Sequence, residues 1–495
     1  LKISKSKGEN KMEQLHNRQL SVYPVPEGAV LRKDFKVYVR LTGEESWSEL
    51  FCYEVKVDMH NVRKASMAYF DFDGKVEVKI QYDRMHIYKV DVRPLSQKIP
   101  VEFTEKEIKF TLNNPANLSV EINGDRFHNL HLFAGKIQSE IPNIEVDMVK
   151  YLPGNLERPS IYRMEEIVYE LEKMPKGRTL YFGAGIHYIE ECVMRIPSHT
   201  NVYIAGGAII IGTFVCSKVE NVRIFGKGLL YLANFERFSG LNGIRLSHAK
   251  NITVEGIHFI NPPHYTIYIG GSDGVLVKDI KTFSCEGWSD GIDMMSSKDV
   301  TVDGCFVRTS DDCIAVYGRR WDYNGNTENI LVKNSVLWAD VAHPTMVGTH
   351  GDYYNEGNII ENINFKNIDI LEHHEPQKNY LGCMAINPGD KNIVRNVRYE
   401  NIRVEHIEHG KLFDIQVKYN KDYNPAPGKL IENIYFKDIF YYGNGEVTAD
   451  IKGFDEERKV KNVTFENLVM QDEKVLSAEK GNIKVGEFAE NIEFK

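Results

Sequence analysis

The chain has 495 residues, of which 42% are hydrophobic and 26% charged, and its formal net charge is −9. That length exceeds what one ordinary core supports, so two or more domains or one elongated repeat are required, and the composition excludes a disordered chain. The acidic balance excludes nucleic acid as the main partner, because phosphate binding needs concentrated Lys and Arg, yet it allows a glycan held in a cleft with its own local sign.

In chain order, Leu1 to Gln14 is polar and Lys-rich with no apolar h-region, so no signal peptide is visible. Both a cytoplasmic location and secretion after signal removal stay open. No run of about 18 apolar residues occurs, so no membrane helix is expected. From Ser21 to Leu132 short alternating segments follow one another, such as Lys36–Leu41, Val76–Ile80 and Leu118–Ile122, with turn signals at Asp73-Gly74 and Asn123-Gly124. They predict an N-terminal β-sandwich over residues 1–135, with a structural or sugar-binding accessory role. Residues 136–176 read as a connector punctuated by Pro142, Pro153 and Pro159, ending in one helix, Met164 to Lys173, that can cover the open edge of a stacked sheet.

From 177 to 495 a repeat dominates: a polar corner with Asn, then Ile or Val, any residue, Val, Phe or Tyr, any residue, and Asn, Asp or Gly. Copies include Lys250-Asn-Ile-Thr-Val-Glu-Gly-Ile257, Lys298-Asp-Val-Thr-Val-Asp-Gly304, Glu361-Asn-Ile-Asn-Phe-Lys-Asn-Ile368 and Lys461-Asn-Val-Thr-Phe-Glu-Asn-Leu468. Successive copies lie 23 to 37 residues apart, a solenoid spacing. The period of two makes each unit a strand, and no amphipathic helix separates them, so the fold class is all-β, a right-handed parallel β-helix. Asn251, Asn329, Asn362, Asn396, Asn433 and Asn462 share one corner phase and read as a structural ladder. The seven cysteines lack CxxC or zinc-like spacing and read as buried small hydrophobes, their odd number weakly favouring a reducing compartment; no cofactor or metal is expected.

Residues at equal phase in neighbouring coils stack about 4.8 Å apart. Ser289-Asp290-Gly291-Ile292-Asp293 aligns with Asp311-Asp312-Cys313-Ile314-Ala315, which puts Asp290 over Asp312 and Ser289 over Asp311. One coil on, His343-Pro-Thr-Met-Val-Gly348 aligns with Cys313 to Gly318 and brings His343 to the same patch. Carboxylates this close cannot all ionise; one keeps its proton and can give it to a glycosidic oxygen while the others activate water. Asp311 and Asp312 are consecutive, so they share a face only at a bulge or corner. Two other readings stand beside hydrolysis. One is a non-catalytic glycan-binding β-helix. The other is a calcium-dependent polysaccharide lyase, against which counts the lack of a Lys or Arg at these phases.

Asp290-Gly-Ile-Asp293, Asp311-Asp312-Cys313 and His343 to Gly348 resemble the motifs of the polygalacturonases, glycoside hydrolase family 28, over about residues 177–470. Gly177 to His187 and Val202 to Ala208 resemble the opening coils of that clan. A preceding β-sandwich is similar to the related dextranases of family 49. The resemblance implies an inverting hydrolase of a pectin-type or α-glucan poly- or oligosaccharide, with Asp311 as acid, Asp290 and Asp312 holding the attacking water, and His343 tuning the acid or touching substrate. The Arg-Ile-Lys fork of that family is replaced by Cys383-Met-Ala-Ile-Asn387, which weakens the case for galacturonan. Arg319 and Arg320 are candidates to replace that fork. Trp288, Tyr317, His350 and Asn387 complete the substrate-binding candidates, with Tyr265, Trp321, Tyr323, Tyr353 and Tyr354 as further aromatic ones. Arg319–Thr327 and residues 372–381 are candidate cleft walls. Oligomeric state is not legible.

Overall fold

The computed structural model describes residues 20–146 and 148–495; Leu1 to Gln14 lies outside them. Two compact units result. The first takes in the chain up to Val25 with Ala29–Glu54 and Ala65–Ile141, and the second comprises Pro26–Gly28, Val55–Lys64 and Pro142–Lys495.

In the first unit a six-stranded and a five-stranded sheet face each other, with Arg63–Phe72 running parallel to Asp125–Lys136. Alternate residues point inward: Val37, Val39, Val78 and Ile80 from one sheet meet Phe70, Leu118, Val120 and Leu132 from the other in one core. Asn123 and Gly124 both take positive φ, 56° and 79°, as a two-residue hairpin turn demands.

The second unit is a right-handed parallel β-helix whose strands stack into three ladders. The repeat read from the sequence forms one ladder, for example Lys250–Glu255, Asp273–Lys278 and Lys298–Asp303. A second ladder runs through His258–Ile260, Lys281–Phe283 and Phe306–Thr309. The third, on which the site lies, contains β1 (Ile267–Gly270), β2 (Ile292–Met295), β3 (Ile314–Tyr317), β4 (Thr345–Val347) and β5 (Gly382–Ile386). Ile, Val and Leu from all three ladders fill one continuous interior. Toward the C-terminus Phe365, Tyr399, Phe436, Phe465 and Phe494 stack ring on ring, with centroids 4.5 to 5.1 Å apart.

The ladder begins earlier than 177. Val149–Leu152 pairs with Arg178–Phe182, and Ser160–Tyr162 pairs with Gly185–Arg195. The stretch read as a connector therefore carries the first two strands of the solenoid, too short and too exposed to show a period. The helix is Met164–Lys173, and its buried stripe, Met164, Ile167 and Leu171, joins the solenoid core.

The asparagine corner is a ladder of side chains. Asn362 donates to Asn329, Asn396 to Asn362, Asn433 to Asn396 and Asn462 to Asn433, at 3.0 to 3.3 Å. Each of these asparagines has φ between 56° and 59°. Asn enters that left-handed region more readily than other side-chain-bearing residues, and its amide can both donate and accept along the stack. All seven cysteines are unpaired, and six are buried. Among the described residues no helix is long and apolar enough to cross a membrane.

Candidate active site

The pairing Ile292↔Ile314 continues back to set Asp290 over Asp312, and Gly291 N donates to Asp312 O at 2.8 Å. Asp311 and Asp312 lie between the strand Phe306–Thr309 and β3, where the chain turns from one ladder to the next. The corner lets consecutive aspartates serve one patch. The next pairing is Ile314↔Thr345, which sets His343 over Asp312 and not over Cys313. The alignment by sequence matched Gly348 with Gly318 and slipped by one. Beyond β4 the two coils diverge further, and Gly318 N reaches His350 O.

Asp312 is 6% exposed and surrounded by donors. Its Oδ1 faces His343 Nδ1 at 2.6 Å and accepts from His343 N at 3.2 Å, and its Oδ2 accepts from Tyr317 OH at 3.2 Å. His343 Nε2 lies 2.9 Å from Tyr380 O. The backbone carbonyl can only accept, and the carboxylate ringed by donors accepts as well. Both ring nitrogens therefore donate, and His343 is an imidazolium. Burial works against that charge, but Asp312 overrides it and holds the ring up to about 9.

Asp311 is partly exposed and turned to the cavity. Its Oδ2 accepts from Trp288 N at 2.7 Å and its Oδ1 from Asp312 N at 3.0 Å. Burial and the Asp312 charge nevertheless raise it to about 6. Asp290 is pushed well above the usual carboxylate range by burial, then by Asp293, Asp311 and Asp312. Asp293, wholly buried beside this group, is raised for the same reasons. One oxygen from each of Asp290, Asp311 and Asp312 lies within 4.8 Å of the others, close enough to share one water or one cation.

A cavity of about 410 Å³ opens over the trio, a volume in the range of small-ligand pockets. Of the candidates, Tyr265, Trp288, Tyr317, Arg320, His343 and His350 line it together with the three aspartates. Arg319 does not: Asp352 takes its guanidinium at 3.1 Å, with Tyr354 beneath it. Asn387 is also turned away, fully buried and donating to Ile386 O and Asp414 O. Trp321 packs on Tyr265 and Tyr268 from the side, and Tyr323 is tied to Ser247.

The walls hold residues that no coil phase announces. Arg237 comes from a loop beside Trp288, and Glu375, Gln377 and Tyr380 come from the 372–381 stretch. Tyr423 and the segment carrying Met59 and His60 complete the lining. Glu375 is lifted by burial to about 7. Arg237 and Arg320 form no ion pair among the described residues, and the Nε of each is buried without an acceptor. Burial, with the positive charge of Arg320, Arg237 and Arg245, depresses the His264 ring to about 4. No Lys or Arg occupies the phases of the three aspartates, but Arg237 from a loop and Arg320 from the short strand Arg319–Arg320 reach the pocket beside them.

Known proteins resemble this chain in sequence and in fold. The profile of Glycosyl hydrolases family 28 matches residues 241–484. A probable exopolygalacturonase B from Aspergillus terreus is 28% identical over 261 residues, 47% of this chain and 57% of that protein. The chain thus spans little more than half the length of such curated relatives. Dex49A from Penicillium minioluteum superposes with a TM-score of 0.65 at 15% identity, covering 96% of both chains. A family 28 exopolygalacturonase from Yersinia enterocolitica gives a TM-score of 0.50 at 11% identity, over 85% of this chain and 96% of that one. These two likenesses show the fold, a parallel β-helix. Sequence and fold agree: residues 241–484 match the model of the glycosyl hydrolases family 28, and the unit they belong to is a parallel β-helix.

Proposed function

We propose that the chain hydrolyses a glycosidic bond in an oligo- or polysaccharide by a single displacement, with Asp311 as acid and Asp312 as base. The observation that carries this is the asymmetry between neighbouring carboxyls. Asp312 accepts from an imidazolium, a phenol and a backbone N–H, whereas Asp311, facing the cavity, is raised by burial and the Asp312 charge to about 6. Asp311 gives its proton to the leaving oxygen. Asp312 takes one from a water that Asp290 helps to hold, and the water's oxygen bonds the anomeric carbon as the glycosidic bond breaks.

The 4.8 Å spacing favours a second reading. Carboxylates this close suit direct attack by one of them and net retention. Against it, both oxygens of Asp312 are engaged by donors, which orients it as a base and weakens it as a nucleophile. NMR of the anomer first released decides: the inverted anomer supports the single displacement, the retained one the covalent route.

Two guanidiniums in the pocket form no ion pair among the described residues, Arg320 being held by His350 Nε2 at 3.0 Å, and they favour a ring bearing a carboxylate over a neutral α-glucan. The relatives named as exopolygalacturonases act in the same direction, and the loops that wall the pocket suit removal of a terminal unit. Asp311→Asn is expected to lower kcat on any cleaved glycan by about 10³-fold or more while binding persists. Full retained activity would overturn the assignment. Binding by the wild type without cleavage across acidic and neutral glycans would favour a non-catalytic protein instead. Chelators should leave the rate unchanged; loss of activity with an absorbing, unsaturated product would point to a metal-dependent lyase.

A further inference from the structure

On the other side of the wall that carries Tyr423 lies a second cavity of about 520 Å³. We propose that it is a remote binding site for the same acidic glycan, holding a stretch of chain whose end occupies the catalytic pocket. The chain's identity rests on the hydrolytic reading; the site itself rests on what lines it.

Tyr419 and Phe454 form an aromatic corner, with centroids 6.4 Å apart and planes at 76°, and each is 40% exposed. Such faces suit the C–H surface of a sugar ring. Asn420, which lines the same cavity, is only 7% exposed, and its Nδ2 has no acceptor. A buried amide donor without a partner is costly unless a ligand supplies one. Its Oδ1 is already used by Asp422 N at 3.2 Å, so the free valence is a donor and calls for hydroxyl or carboxylate oxygen. Lys418 is taken up by Asp414 and by Asn379 O. Lys421 and Lys452 form no ion pair among the described residues, and they supply positive charge that a neutral chain would not need.

The two cavities share their walls. Tyr423 OH donates to Gln377 Oε1 at 3.1 Å, and both residues line the catalytic pocket. From the same two loops Asn379 and the run Lys418 to Asp422 line the second cavity. The ladder passes from β3 through β4 and β5 to Lys411–Gln416 and then Thr448–Lys452. The second cavity lies at the ends of those last two strands, roughly 15 Å along the axis from Asp312. Exposed Tyr423, Tyr419 and Phe454 mark the path between.

The test compares chain lengths. In the full chain carrying Asp311→Asn, calorimetry measures binding of galacturonate oligomers of about two and about six units. Tyr419→Ala/Phe454→Ala is expected to weaken the long oligomer about tenfold and leave the short one unchanged. In the active enzyme the same pair should raise KM for the long oligomer with kcat unaltered. Equal losses for both lengths, or no loss for either, would overturn the remote site. Lys421→Gln/Lys452→Gln should weaken the long oligomer and flatten its salt dependence. An unchanged affinity there would overturn the acidic class of the ligand. Unaltered thermal unfolding of each variant secures the comparison. Should the wild type cleave nothing, the hydrolytic reading fails while the length dependence of binding still reports on the remote site.

Discussion

At the scale of single residues the chemistry depends on two protons, one fixed and one mobile. The fixed one belongs to His343. Its folded pKa lies above the ordinary 6.5, at about 9, so the stabilisation it brings is complete below about 6.5 and is lost as the pH rises through 9. His343→Ala would leave Asp312 buried with one cationic partner fewer and should cost about 3–5 kcal/mol, read from denaturant unfolding at pH 6. The mobile proton belongs to Asp311, raised to about 6. Because the acid must be protonated, kcat/KM should fall above about pH 6 by roughly tenfold per unit. His343 stays charged through that range and adds no limb before 9; a profile flat to pH 8 would remove Asp311 from the acid role. Coil phase was enough to stack Asp290 on Asp312, since those coils are nearly equal in length. It misplaced His343 by one residue, because Gly318 and Gly348 look equivalent but stand 30 residues apart where the strand register is 31. Arg237 and Tyr423 stayed hidden because loops carry no phase, whereas Glu375 falls in the stretch 372–381 read as a cleft wall.

At the scale of elements, the asparagine corner ties geometry to sequence most directly. Each of Asn362, Asn396, Asn433 and Asn462 occupies the left-handed region and bonds its neighbour in the next coil. The two contributions are separable. Asn396→Gly keeps the backbone freedom and removes the side-chain bonds, and should cost about 1 kcal/mol. Asn396→Ala adds backbone strain of about 1–2 kcal/mol more. Equal losses for the two in urea unfolding would show that the ladder bonds alone matter. This corner recurs with flanking Ile, Val and Phe, and for that reason the solenoid was legible. The strands Val149–Leu152 and Ser160–Tyr162 were not, because three or four residues between prolines show no period. The helix Met164–Lys173 was legible from its buried stripe at i, i+3 and i+7.

At the scale of the whole molecule, a solenoid holds each coil mainly through its neighbours. The aromatic stack from Phe365 to Phe494 binds the C-terminal coils to one another, and its Phe494 end lies well away from Asp311 in the coil order. Deleting residues 487–495 removes the last ladder strand and exposes the edge of Val460–Met470. Hydrogen exchange should quicken in the last coils alone, with turnover of a short substrate unchanged; global loss of protection would mean that the coils unfold as one unit. Repetition also brings a hazard, since a chain whose corners are all alike can pair one coil out of step and still satisfy most of its asparagine bonds and ring stacks. Along the catalytic face the steps from Ile267 to Ile292, Ile314, Thr345 and Met384 are 25, 22, 31 and 39 residues. Those unequal lengths come from the loops that wall the pocket, so the insertions that shape the substrate's seat also act as a key, admitting one threading of the chain and rejecting its near copies.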